Sequence, residues 1–193
     1  MEPELSERGL LVISTMSGIS GISHLPVDEL DGIPLGLLRR SATRLHAVCR
    51  YRRGVRKSEG VMPADVRCID VHPYALTDEW SRYADFLLYH EYLHALGLSD
   101  HGREFRELES LWPDIEARSM GEDFGRYLRE RSSKWLWVCP SCGNSQIDSK
   151  GRGLLLLRYP TISIGVQYHR FSKLFPPVGC EGGHQKYHKE EEC

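Results

Sequence analysis

TDEWSRYADFLLYHEYLHALG, residues 77–97, reads as one helix with its chemistry near the C-terminal end. Trp80, Tyr83, Ala84, Leu87 and Leu88 recur at i, i+3, i+4, i+7 and i+8, the spacing of a helix with one apolar face. Thr77 is the expected N-cap, and Asp78 and Glu79 fall in the first turn, where the helix dipole favours anions. Gly97 is the expected stop, since glycine adopts the left-handed turn that ends helices. Inside the helix lies His90-Glu91-Tyr92-Leu93-His94, an H-E-x-x-H pattern. Spacing i, i+4 puts both imidazoles on one face, where their ring nitrogens can share a Zn²⁺ ion. Glu91 then stands beside the metal as general base, taking a proton from a zinc-bound water that attacks a peptide carbonyl. The competing structural reading is a pair of core histidines bonded to backbone.

A catalytic zinc needs a third protein ligand and an open position. After Gly97 the chain can double back, bringing either Asp100 or His101 to the site. His101 is preferred, because neutral imidazole is the commoner ligand and Asp100 suits the N-cap of a following helix. That helix carries Phe105, Leu108 and Leu111 and ends before Pro113. A third helix is expected over about 121–132.

Upstream, residues 61–75 contain a short strand, Val66–Val71, closed by His72-Pro73. Residues 34–57 look helical from Pro34 and run into a basic stretch with eight Lys or Arg and no acid between Arg39 and Lys57. Arg50, Arg52, Arg53, Arg56 and Lys57, interleaved with Tyr51, are candidates for phosphate contact; a solvated, charged face is the alternative. Residues 77–131 have the opposite sign, with 13 acids against 7 Arg. Residues 1–33 show no clear periodicity.

Beyond residue 133 the pattern changes to strands and turns, with Trp135–Val138, Leu154–Leu157 and Thr161–Tyr168 as candidate strands. Cys139 and Cys142 form a C-x2-C pair, and Cys180 and His184 follow as C-x3-H. This layout favours a closed structural zinc over disulfides in a reducing compartment. His188 or Cys193 are alternatives to His184 as fourth ligand. Cys49 and Cys68 stand alone and are expected to be buried thiols. Three regions result: an N-terminal segment 1–33, a catalytic domain 34–133 and a zinc-binding tail 134–193.

The net charge of −2 over 193 residues argues against a generic polyanion binder. The longest aliphatic runs are four residues, far short of the roughly 20 that span a bilayer. Glu2, Glu4 and Glu7 have the wrong sign for a secretory leader. These features lead us to expect a soluble, cytoplasmic protein without a membrane partner.

His90-Glu91-x-x-His94 followed by His101-Gly102-x-x-Phe105 resembles the SprT-like zinc metallopeptidases, which include the Spartan DNA–protein crosslink proteases. The preceding strand and the cysteine-bearing tail are also similar to that family, over about 61–193. The resemblance implies an α+β, zincin-like catalytic domain followed by a small β zinc ribbon. It further implies His90, His94 and His101 as zinc ligands, Glu91 as base, and cleavage of DNA-associated proteins with non-sequence-specific DNA contact. Two rival functions remain at this level. One is a non-proteolytic, nucleic-acid-binding adaptor, which the intact Glu91 argues against; the other is a general peptidase indifferent to DNA.

Overall fold

A computed structural model describes residues 2–132, 135–138, 145–148 and 185–188. By internal contacts the chain divides into two units, Met1–Arg126 and Tyr127–Cys193. The first mixes helices with a small three-stranded sheet. In order it comprises α1 (Glu2–Ser17), a 3-10 turn (Val27–Gly32), β1 (Leu35–Leu37), β2 (Ala47–Tyr51), β3 (Val66–Val71), α2 (Ser81–Ala95) and α3 (Arg103–Glu109). Helix α4 (Ile115–Ser132) follows, and the division between the units falls within it.

The sheet order is β1-β3-β2. β1 runs parallel to β3 with Leu35 opposite Ile69, and β2 runs antiparallel with Cys49 opposite Ile69. A shift in register between Arg50 and Tyr51 marks a bulge, which re-aims side chains where pairing ends. β3 occupies the expected residues. Its Val66, Ile69 and Val71 are buried, while Arg67, which the bulge leaves without a partner on β2, is exposed. α1 packs beside β1 and α2, while α2 packs on β2 and β3. α2 is covered on most sides: ten of its fifteen residues are buried, among them Leu88, Tyr89, Tyr92 and Leu93. It is the central helix of the unit.

Several expectations give way. Residues 34–57 are two strands and connecting turns rather than a helix. Pro34 precedes β1 instead of opening a helix, and β2 is fixed by its partner β3, a long-range pairing that local pattern does not report. The segment without periodicity contains α1, whose buried stripe is Leu5, Gly9, Val12 and Met16. Gly9 interrupts the apolar signal because a Cβ there would lie 2.6 Å from Leu35 and 2.9 Å from the Tyr92 hydroxyl. Leu10 and Leu11, off the stripe and 50% and 60% exposed, blur it further.

Thr77 caps a 3-10 turn (Asp78–Trp80) rather than α2 itself, and its hydroxyl donates back to the Tyr74 carbonyl. Asp100 is not the N-cap of α3; Gly102 is, and the Asp100 carboxylate accepts the Gly102 N–H at 2.7 Å. The third helix starts at Ile115, six residues before the expected position, because Asp114 accepts the Ala117 N–H and opens it there. Cys49 and Cys68 are free, as expected, but half-buried.

In the second unit, β4 (Trp135–Val138) pairs antiparallel with both β5 (Ser145–Asp148) and β6 (Gln185–His188), in the order β5-β4-β6. The other candidate strands, 154–157 and 161–168, lie outside the described residues, as do Cys139, Cys142, Cys180, His184 and Cys193. Among the described residues, no helix is long and apolar enough to cross a membrane.

Candidate metal centre

The site begins with how α2 ends. Gly97 has φ +104°, so its N–H turns back to the His94 carbonyl while the Leu98 N–H reaches the Leu93 carbonyl. Those two bonds are the Schellman pattern. The same turn carries the Leu98 carbonyl over the helix end, where it accepts the His94 Nδ1–H at 2.6 Å. His94 is thereby held with Nε2 free to face outward. Burial lowers its pKa to about 4, so the imidazole is neutral and a competent ligand at pH 7.

His90, one turn earlier, is fixed from another direction. Its Nδ1 lies 2.7 Å from Oε1 of Glu109, at the end of α3. Tyr89 holds that end in place: its hydroxyl donates to the Leu108 carbonyl, and its ring stacks on Trp112 at 4.9 Å. His101 stands in the loop between α2 and α3, its carbonyl accepting from Arg106 Nε at 3.0 Å. Its Nε2 lies 3.0 Å from that of His90.

One ligand atom from each of His90, His94 and His101 falls within 4.8 Å of the other two, so the three can hold a metal ion. Two nitrogens on one tetrahedral zinc stand about 3.3 Å apart, given Zn–N near 2.05 Å. The His90–His101 pair, at 3.0 Å, is near that spacing. Asp100 does not join it; its carboxylate is engaged by Gly102. Phe105 lies behind all three imidazoles, its ring centre 4.9 Å from that of His90 and 4.7 Å from those of His94 and His101. It is 1% exposed and closes the site from the core side.

Glu91 points elsewhere, toward the edge strand β2. Its Oε2 accepts the Cys49 N–H at 2.7 Å, using an amide the sheet ladder leaves unpaired. Its Oε1 makes no hydrogen bond among the described residues. At 7% exposure, burial raises the carboxyl pKa; the His90 charge, the Cys49 amide and Lys57 oppose the shift without cancelling it. Burial also pushes the neighbouring Cys49 thiol up to about 12, with the Glu91 charge adding to the effect, so it stays protonated. The Tyr51 hydroxyl donates to the His94 carbonyl at 3.2 Å, a second tie between β2 and α2.

The basic run is split by the fold. Arg50 donates through Nε to Asp70 on β3, a cross-strand pair that occupies its guanidinium. Arg52, Arg53 and Arg56 are exposed on the segment leaving β2, and Lys57 lies over the Tyr51 ring with Nζ 4.7 Å from its centre. Lys57 is therefore near the metal centre while Arg50 belongs to the sheet. Glu109 is the residue that sequence reasoning missed. As one acid among thirteen in its segment it carries no local mark.

No protein-family profile matches the chain, nor does any curated protein or solved structure.

Proposed function

We propose that the protein is a zinc-dependent metalloendopeptidase of zincin, SprT-like type. The observation that supports this reading best is the convergence of His90, His94 and His101, with Glu91 on the same helix. A zinc ion there supplies Lewis acidity toward a peptide carbonyl and acidifies water. The protein supplies the rest. The hydrogen bonds at the Nδ1 atoms of His90 and His94 leave their Nε2 atoms as the ligand atoms. Cys49 anchors Glu91 through Oε2, so Oε1 is the oxygen that takes the proton of the attacking water and passes it to the leaving amine. The raised carboxyl pKa brings that base closer to neutrality, which suits two-way proton transfer.

The substrates we infer are proteins held on DNA, and the tail is read as a zinc ribbon using Cys139, Cys142, Cys180 and His184. Both inferences rest on sequence. The exposed Arg52, Arg53 and Arg56, following β2 beside α2, suit contact with a phosphate backbone near the cleavage site. The test is zinc content and cleavage of casein and histones, with and without single-stranded DNA. We expect two zinc ions per chain, one of them lost in His101→Ala. Cleavage should be stimulated by DNA and abolished in a Glu91→Gln variant that still binds zinc. A zinc content unchanged by His101→Ala, with no cleavage under any condition, would refute the protease reading. Cleavage that is indifferent to DNA would refute only the DNA-linked part.

A further inference from the structure

The three imidazoles are not held alike. The Nδ1 of His94 meets a neutral backbone carbonyl, whereas the Nδ1 of His90 meets the carboxylate of Glu109 at 2.7 Å. That carboxylate is 7% exposed, and its second oxygen, Oε2, lies 3.3 Å from Nη2 of Arg118 on α4. A carboxylate buried to this degree is costly unless paired and hydrogen-bonded. Here each oxygen has a partner, one on the metal-centre helix and one on α4. The arrangement does more than satisfy the charge. An anion at Nδ1 fixes the proton there, points the Nε2 lone pair toward His94 and His101, and makes that nitrogen a stronger donor. Arg118 in turn orients the carboxylate from its outer side. It is half exposed at 51%, so its own contribution is screened by solvent.

We propose that Glu109 is a positioning residue that presets His90 for metal binding, with Arg118 supporting it from α4. The affinity of the centre is then set partly by helices that contribute no ligand. This inference rests on the metal-centre reading above and extends it to α3 and α4.

The test uses the full chain and zinc itself, titrated in competition with a chromophoric chelator. The centre is defined as the binding step that His94→Ala removes. Glu109→Ala should weaken that step by about 10- to 100-fold. Glu109→Gln, which keeps an acceptor oxygen but loses the charge, should recover part of the loss, and Arg118→Gln should cost less than Glu109→Ala. Cobalt(II) bound at the centre should show a shifted visible spectrum in Glu109→Ala, a change that general loss of stability does not produce.

An affinity within about twofold of wild type in Glu109→Ala overturns the inference and leaves the metal centre standing, since such partners are worth at least tenfold when they act. If the alanine variant does not fold, the isosteric Glu109→Gln carries the test. A weakened step with an altered cobalt spectrum supports the inference, and wild-type affinity overturns it. A wild-type chain with no step that His94→Ala removes overturns the metal-centre reading, and this inference with it.

Discussion

Replacing Phe105 with alanine tests whether the metal centre is built on an apolar floor. The ring is 1% exposed and lies 4.7–4.9 Å, centre to centre, from three imidazoles. Truncating a buried Phe to Ala costs about 3–5 kcal/mol, combining lost transfer energy with the cavity left behind. Aromatic pairs contribute about 0.5–1.5 kcal/mol each beyond burial, and three such contacts vanish together, which places this site toward the upper end. Part of the cost should appear as lost metal affinity, because the imidazoles lose the surface that limits their rotation. The assay is urea unfolding of chelated protein, read as a shift in midpoint at constant slope, followed by zinc titration. Phe105→Leu, which refills most of the volume, should restore the greater part of both losses. A Phe105→Ala variant destabilised by less than about 1 kcal/mol, well under the usual cost of emptying a packed site, would refute the argument.

Three other perturbations have directions fixed by the geometry. Gly97→Ala forces a side chain into a backbone at φ +104° and brings its Cβ within 3.0 Å of the Val61 carbonyl oxygen. It should cost at least about 1–2 kcal/mol of stability in urea unfolding and weaken zinc binding by displacing the Leu98 carbonyl from His94. In chelated protein His94 has a folded pKa of about 4, below its ordinary 6.5, so the unfolded chain takes up the proton first. Stability is therefore fully present above about pH 6.5 and declines as pH falls toward 4; His94→Gln should flatten that decline in urea midpoints measured between pH 7 and 4. For DNA, the double variant Arg52→Gln/Arg53→Gln should reduce the log–log salt slope on single strands by about 1.4 if both residues touch phosphate. Arg50→Gln should leave the slope unchanged, because its guanidinium is committed to Asp70. Fluorescence titrations across a salt series distinguish the two.

What the sequence displayed and what it concealed follow from where each interaction is made. Strand Val66–Val71 was legible to the residue because a short run rich in Val and Ile, closed by His72-Pro73, is a local signal. The histidine-bearing part of α2 and its end at Gly97 were legible because helix periodicity, a fixed i, i+4 spacing and a glycine stop all act within a few residues. His101 over Asp100 as the third candidate ligand was preferred from residue type alone, and the local bond from the Gly102 amide to Asp100 agrees with it. By contrast α1 is concealed by Gly9, a residue chosen by contact with Leu35 and Tyr92 rather than by helix propensity. β2 is concealed because its identity comes from pairing with β3, and the arginines that mimic a helix face there answer to solvent and to Asp70.

The same division runs through the candidate site. Its ligands are spelled locally, but the groups that hold them are remote in sequence. Glu109 lies 19 residues from His90, and the Cys49 amide lies 42 residues from Glu91. The three imidazoles share Phe105, whose place beneath them depends on how α3 returns against α2. A ligand motif therefore specifies which atoms can meet a metal, while the tertiary fold specifies their rotation and which oxygen of Glu91 the Cys49 amide engages. A chain keeping the motif but losing the Cys49 and Glu109 contacts would retain the signature without the outer contacts that orient its side chains.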